Sequence, residues 1–312
     1  MSDFDGLDAR FASPMERLLY LRSAFYMSDL RGGALMSIAN RSREVFVRAG
    51  TRLTSPEAPA TDVYFLVEGE VSIWLDDEVV QRISPPGGVG FLAMLGEGAR
   101  RSVSIADTPC QLLAVPISDV RELLEEDYFF LGSTISSLMG GIGEAQAKLE
   151  SAGLISRTEP EMGEHPGGEM DFIQRLKRMR VGPYAACSLD ALADLVTQAP
   201  EIRYAPGDVI WREGDPGDWG LNVAYGIVEC SSESPPRTFR MGADSTVGVM
   251  QVQGQQPRAY TCIAETEVVA IKGEIELTND IIEDHPDFGL TLLSFIADMM
   301  FDFTVRLARL EQ

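Results

Sequence analysis

The chain has 312 residues, which at roughly 100–200 residues per domain favours two domains. Hydrophobic content of 45% and charged content of 24% fit a globular protein with a core to bury. The formal net charge of -22 repels phosphate backbones and anionic lipid, which excludes broad nucleic-acid or membrane-surface binding and leaves open only a local basic pocket.

The opening MSDFDGLDARF lacks the apolar core of a secretory signal, and residues 1–17 read as an N-terminal tail. The first domain is expected over residues 18–152. After a helical stretch it reads FVRAGTRLTSPEAPATDVYFLVEGEVSIW from Phe46 to Trp74: strand, Gly turn, strand, Pro-containing loop, alternating strand, Gly, strand. GGVGFLAMLGEGARRSVSIADTPCQLLAV follows from Gly87 to Val115. Pro116-Ile117-Ser118-Asp119 opens a helix, with the Ser118 hydroxyl available to orphan N–H groups and Asp119 at the positive end. Leu131, Ile135, Leu138, Ile142, Ala145 and Leu149 then recur at the spacing of a heptad seam, interrupted by Gly140, Gly141 and Gly143, which mark close packing or a hinge.

Between Gly153 and Asp171, ISRTEPEMGEHPGGEM has no apolar period and reads as a mobile linker, with an ordered surface loop as the alternative. The second domain is expected over 172–312. IRYAPGDVIWREGDPGDWGLNVAYGIVEC (Ile202–Cys230) repeats the frame of Phe46–Trp74, and DSTVGVMQVQGQQPRAYTCIAETEVVAIK (Asp244–Lys272) that of Gly87–Val115. This self-similarity has a period far longer than a solenoid repeat and reads as a duplicated domain. Short strands between Gly and Pro turns predict a mainly β fold with flanking α-helices, each half a jelly-roll or barrel. The last helix, Phe288–Leu310, is apolar on more than one face, more than a surface helix of a monomer needs, so a further surface is expected to cover it: the other half, a second copy or another protein.

Chemistry-bearing residues are sparse. His165 and His285 are the two histidines, too few for most His-based triads or metal sites. Cys110, Cys187, Cys230 and Cys262 form no C-x-x-C pair and read as reduced, mostly buried thiols of a cytoplasmic protein. The acidic loop Glu213–Asp218 lacks EF-hand spacing and reads as a turn. No nucleophile elbow, H-E-x-x-H or Walker loop is present, so no enzyme and no metal site are expected.

Taken together, YAPGDVIWREGDPGDWGLNVAYGIVE in the second half and YFLVEGEV in the first resemble cyclic-nucleotide-binding domains, as found in the catabolite activator protein and, in tandem, in regulatory subunits of cAMP-dependent protein kinase. The resemblance implies two tandem β-barrel (jelly-roll) domains, each with a phosphate-binding cassette that begins G-E-L-A-L and ends P-R-A-A. It also implies a role for each cassette residue: backbone N–H groups and an arginine hold the cyclic phosphate, and the glutamate accepts from the ribose 2′-hydroxyl. Carried onto this chain, the first cassette is Gly90-Phe91-Leu92-Ala93-Met94 with Arg100, and the second is Gly248-Val249-Met250-Gln251-Val252 with Pro257-Arg258-Ala259. Both keep the arginine, and both replace the ribose glutamate, by Phe91 and by Val249. In the first, Arg101 stands where the family prefers a small residue, and a one-residue shift makes Arg101-Ser102 the phosphate pair.

These residues point to a non-enzymatic regulatory or adaptor protein working through protein contacts, with nucleotide sensing degenerate or altered. The alternative is a sensor that takes a cyclic nucleotide or another phosphate-bearing ligand through Arg258, Arg100 or both. No cofactor is expected beyond such a weakly held anion. No helix-turn-helix follows either half, so DNA is not an expected partner, and no run of about 18 apolar residues predicts a membrane span. A protein partner or a homodimer is expected, with Phe295, Met299 and Phe303 of the last helix as candidate contacts.

Overall fold

Alternation of apolar and polar residues between glycine turns folds each half, among its described residues, into eight short antiparallel strands. The computed structural model describes residues 10–11, 13–23, 32–153, 159–233, 236–249 and 256–310. In the first half the strands are β1 (Arg43–Val47), β2 (Arg52–Thr54), β3 (Asp62–Glu68), β4 (Val71–Leu75), β5 (Glu78–Ile83), β6 (Gly88–Val89), β7 (Val103–Ala106) and β8 (Cys110–Pro116). They form two four-stranded sheets, β1-β8-β3-β6 and β2-β7-β4-β5.

The second half holds β9 (Glu201–Tyr204), β10 (Val209–Trp211), β11 (Trp219–Tyr225), β12 (Val228–Glu233), β13 (Pro236–Met241), β14 (Thr246–Val247), β15 (Thr261–Ala264) and β16 (Val268–Glu274). Its sheets are β9-β16-β11-β14 and β10-β15-β12-β13, so each strand has the neighbours of its counterpart eight numbers earlier. The duplication and the two-barrel, mainly β architecture expected from the sequence are both present.

Each barrel closes on its own core. Leu53, Leu66, Val71, Ile73, Val80, Val89 and Leu112 fill the first. Ile210, Trp211, Leu221, Val228, Val247, Cys262 and Ala270 fill the second. Two glycines at matching positions set the tight corner before β4 and before β12. Gly69 has φ +99°, and an added Cβ would lie 2.6 Å from Cys110 Sγ and Pro109 O. Gly226 has φ +95°, and its Cβ would run into the Glu267 carbonyl. Cys110, Cys187, Cys230 and Cys262 are all buried.

The helices are α1 (Pro14–Leu21), α2 (Gly32–Arg41), α3 (Phe91–Leu95), α4 (Glu97–Arg100), α5 (Ile117–Glu126), α6 (Tyr128–Ser151), α7 (Phe172–Met179), α8 (Leu189–Gln198), α9 (Ile275–Asp284) and α10 (Pro286–Ala308). All six seam residues of α6 are buried. Cβ atoms at Gly140 and Gly143 would meet nothing within 4 Å, so close packing does not explain these two glycines. The chain segments into two compact units, Met1–Leu138 with Leu293–Gln312, and Met139–Leu292.

Three boundaries differ from the sequence expectation. Residues 1–9 and 12 of the expected tail lie outside the described residues, and the rest is not free: the Arg10 and Phe11 amides donate to the Glu44 carboxylate at 3.0 Å each, and Ser13 caps α1. Residues 159–170 are laid on the second barrel rather than loose. The Glu161 carbonyl accepts from Ala243 N–H and the Met162 carbonyl from Gly226 N–H, both at 2.8 Å, while Met170 N–H donates to Glu201 at 2.7 Å. Backbone bonds of this kind leave no trace in side-chain composition. Finally, the end of α10 belongs with the first barrel, where Phe301 and Val305 enter the core and Arg309 pairs with Glu78 at 3.5 Å. The end of α6 belongs with the second, where Glu150 pairs with Arg237 of β13. By length and composition α10 could cross a membrane, but Leu292, Leu293, Ile296, Ala297, Phe301 and Val305 are buried in the protein, as in a core helix.

Candidate functional site

The first cassette turns on Gly90, whose φ of +90° precedes α3; a Cβ there would lie 3.2 Å from Asp62 O. Phe91, at the position the resemblance gives to the ribose glutamate, is buried. Leu92 and Ala93 pack against the first core. Arg100 is exposed and spends its guanidinium on the end of α3, Nε donating to Ala93 O at 3.1 Å and Nη2 to Met94 O at 3.2 Å. Carbonyls at a helix C-terminus lack partners within the helix, and a cation supplies both hydrogen bonds and favourable charge there. In the shifted register, Arg101 is exposed, while Ser102 is buried with its hydroxyl donating to Ala99 O at 2.7 Å. Neither register leaves an arginine–serine pair aimed at one shared point.

Among the described residues, two on α10 hydrogen-bond to this cassette, and the sequence carried no signal of either. Ser294 Oγ donates to Leu95 O at 2.9 Å, and the Asp298 carboxylate accepts from Gly98 N–H at 2.7 Å.

The second cassette begins at Gly248, φ +79°, followed by half-buried Val249. Met250 and Gln251 lie outside the described residues. Arg258 is sealed in, with only 2% of its surface exposed, whereas Ala259 beside it is exposed. The guanidinium carbon stands 4.0 Å from the Trp211 ring centroid and 5.1 Å from that of Trp219. Nη2 donates to Trp219 O, and Nη1 lies 3.5 Å from Gly248 O. Nε and the Trp211 Nε1 are buried donors with no partner among the described residues. Burial pushes the Arg258 pKa down from its ordinary value, and Tyr260, Asp218 and Asp215 oppose that shift. The Tyr260 hydroxyl, 3.1 Å from Gly248 N, accepts its N–H and completes an aromatic wall with Trp211, Trp219 and Phe239. Burial raises the Tyr260 pKa, which keeps that hydroxyl neutral.

The two sites thus place equivalent arginines differently. Arg100 lies on the surface against α3, and Arg258 lies inside an aromatic box. Sequence reasoning found both arginines but missed Trp211, Trp219 and Tyr260, although the paired tryptophans on either side of the Glu-Gly-Asp loop were a visible signal. Of the candidate contacts on α10, Phe295 is 39% exposed, and Met299 and Phe303 are half-buried.

The sequence profile of the cyclic nucleotide-binding domain matches residues 44–127 and 201–285. An acetyltransferase, Pat, from Mycolicibacterium smegmatis is 26% identical over 129 residues, which cover 40% of this chain and 35% of that protein. A CRP-like cAMP-activated global transcriptional regulator from Mycobacterium tuberculosis is 25% identical over 122 residues, 38% of this chain and 54% of that one. This chain therefore spans about half or less of the curated relatives it matches. Among solved structures, the regulatory subunit of a cAMP-independent protein kinase A from Trypanosoma brucei aligns over 89% of both chains at 16% identity, with a TM-score of 0.36. With the profile matched once in each barrel and over more than half of its length, this chain belongs to the cyclic nucleotide-binding domain family and carries two such domains in tandem.

Proposed function

We propose that this is a non-enzymatic regulatory or adaptor protein whose tandem domains act through protein–protein contacts, with nucleotide sensing altered in both pockets. One observation carries the reading: the arginine at each phosphate position already bonds to the protein itself, Arg100 to the α3 carbonyls at the surface and Arg258 within the buried tryptophan box. Phe91 and Val249 add the loss of the ribose acceptor. A hydrogen bond to a charged group is worth roughly 1.5–3 kcal/mol, so that loss alone weakens binding by about 10- to 150-fold. The acetyltransferase relative lends no catalytic assignment, because only 35% of it aligns. A cytoplasmic location belongs to the same reading, as does a homodimer or protein complex through Phe295, Met299 and Phe303. Calorimetry with cAMP and cGMP tests it: sub-micromolar binding by the wild-type chain would overturn the altered-pocket reading. Light scattering tests the assembly. A dimer that tightens with salt and dissociates in the Phe295→Asp, Met299→Asp variant supports it, because copies charged -22 repel at low salt.

One observation favours the sensor alternative in the second domain. The Arg258 Nε and Trp211 Nε1 donors are buried without partners among the described residues, and such donors favour an anion. Trp211 and Trp219 are two of the chain's three tryptophans, so intrinsic fluorescence titrated with inorganic phosphate and with cAMP reads this pocket directly. A flat titration with both probes sinks the sensor reading.

A further inference from the structure

Cys230 of β12 and Cys262 of β15 are direct partners across two antiparallel strands. Both are fully buried in the core of the second barrel, and their sulfurs stand 3.9 Å apart. Residues directly opposite on such strands have Cα atoms about 4.5–5.5 Å apart, inside the range of about 4.4–6.8 Å that a disulfide spans. Closing from 3.9 Å to a bond of about 2.05 Å therefore asks for side-chain rotation and no change of register.

The fold does not require thiols at this place. In the first barrel the equivalent partners, in the same register after the Gly69 corner, are Ile73 and Ser104. Nor are the other two cysteines placed this way. Cys110 Sγ donates to Thr108 O at 3.2 Å and lies 3.4 Å from Glu70 O, and Cys187 Sγ lies 3.9 Å from Pro183 O. The facing pair also sits where a bond would be felt. Cys230 has Phe239 of β13 as its partner on the other side, and the Phe239 ring meets that of Tyr260 edge-on at 5.2 Å. Cys262 follows Arg258 and Tyr260 directly along the chain, and the Tyr260 hydroxyl holds Gly248 N–H.

We propose that Cys230 and Cys262 form a reversible disulfide with hydrogen peroxide as oxidant, a bond that ties β12 to the start of β15 and so fixes Arg258 and Tyr260 on the barrel. One sulfur attacks a peroxide oxygen, the O–O bond breaks, and a sulfenic acid and one water result. The facing sulfur then attacks the oxidised one, the S–O bond breaks, and a second water leaves with the remaining thiol proton. The two thiols give up two electrons, and the peroxide takes them. Peroxide is small and uncharged, so local opening of the barrel admits it to a buried pair. The bond forms whatever either cassette binds, so this site stands apart from the functional reading above.

The test treats the full wild-type chain, folded and freed of reductant, with hydrogen peroxide, then alkylates and digests it with trypsin. The peptides 213–237 and 259–272 should be recovered cross-linked, with Cys110 and Cys187 still alkylated, and dithiothreitol should separate them. The oxidised chain should show a higher urea midpoint, because the bond restricts the unfolded state, and slower hydrogen exchange over 259–272. Cys262→Ser should abolish the cross-link and both shifts; if it does not fold, Cys262→Ala serves, and the wild-type peptide map needs neither. No cross-link in the folded chain, a cross-link formed only in urea, or equal linkage to the Cys187 peptide 181–203 overturns the site. Oxygen added to the cysteines without a cross-link overturns it too. Unchanged exchange over 259–272 in the cross-linked chain overturns the hold on Arg258 and Tyr260.

Discussion

Replacing Arg258 by alanine separates a structural arginine from a ligand-binding one. The side chain is 2% exposed, lies 4.0 Å from the Trp211 ring and 5.1 Å from the Trp219 ring, and donates to the Trp219 carbonyl. A desolvated cation–π contact contributes about 2 kcal/mol, and a hydrogen bond from a charged donor about 1.5–3 kcal/mol. Against these stand the desolvation of the guanidinium and the unpartnered Nε, which cost about 1–3 kcal/mol. Truncation also leaves a cavity between the two indoles and strands the Trp219 carbonyl. The net expectation is a loss of about 2–3 kcal/mol, or roughly 4–12 °C in the melting temperature of a domain of this size. Arg258→Lys should recover only part of it, because an ammonium cannot stack flat on the tryptophan and reach both carbonyls. Urea unfolding followed by tryptophan fluorescence and by circular dichroism gives the free energy and checks that one transition is being read. An Arg258→Ala chain within about 0.5 kcal/mol of wild type, the range of an ordinary surface substitution, would refute the structural assignment.

Two further outcomes follow from local geometry. Gly69→Ala and Gly226→Ala should each destabilise their own barrel by more than about 3 kcal/mol, since both combine a positive φ with a Cβ that meets backbone atoms; thermal melts showing either as neutral would mean that these corners relax. At high pH, burial holds Tyr184 and Cys187 protonated, each pushed up to about 12, where the unfolded chain has already released protons from a tyrosine near 10 and a thiol near 9. Stability from Tyr184 is complete below pH 10 and falls between pH 10 and 12 by about 1.4 kcal/mol per pH unit, with Cys187 adding its own fall from pH 9. Urea midpoints of Tyr184→Phe across that range should show a shallower slope, and an unchanged slope would remove Tyr184 as its cause.

The fold was legible because duplication made each half a check on the other. The strands flanking Gly69 and Gly226 share one pattern, and the α6 seam from Leu131 to Leu149 is buried at every position read from its spacing. What stayed hidden depends on contacts distant in sequence. Apolar faces on α10 announce that something covers them, but which barrel takes Phe301 and Val305 depends on glycines at 96 and 98 that look like loop residues from the sequence alone. Arg100 and Arg258 occupy the same register position, yet one is exposed and the other sealed. The difference is made by Trp211 and Trp219 on two preceding strands, not by the cassette. The strip 159–170 was hidden for another reason: it is held partly by backbone groups, which every sequence has, and partly by side chains distant in sequence, Glu201 on Met170 N–H and Tyr225 against the His165 ring.

Register and residue size by themselves favour the second pocket as the anion site, since Val249 is smaller than Phe91 and Ala259 follows its arginine. The structure adds a term of opposite sign. An anion at Arg258 must either enter a closed aromatic box to reach Nε, or draw the guanidinium off Trp211 and the Trp219 carbonyl at a cost of about 2–3 kcal/mol, a 30- to 150-fold penalty. Arg100 gives up only two surface hydrogen bonds to α3, and water replaces those partners at once. Phe91 is buried at the position the resemblance gives to the ribose glutamate, and on the proposed reading the group admitted there is a phosphate without its sugar. Inorganic phosphate should therefore bind weakly and be lost in Arg100→Ala, while cAMP gains nothing over it. If cAMP bound more tightly than phosphate, and Arg258→Ala abolished that difference without lowering stability, the box would be open in solution and the second pocket would be the working site.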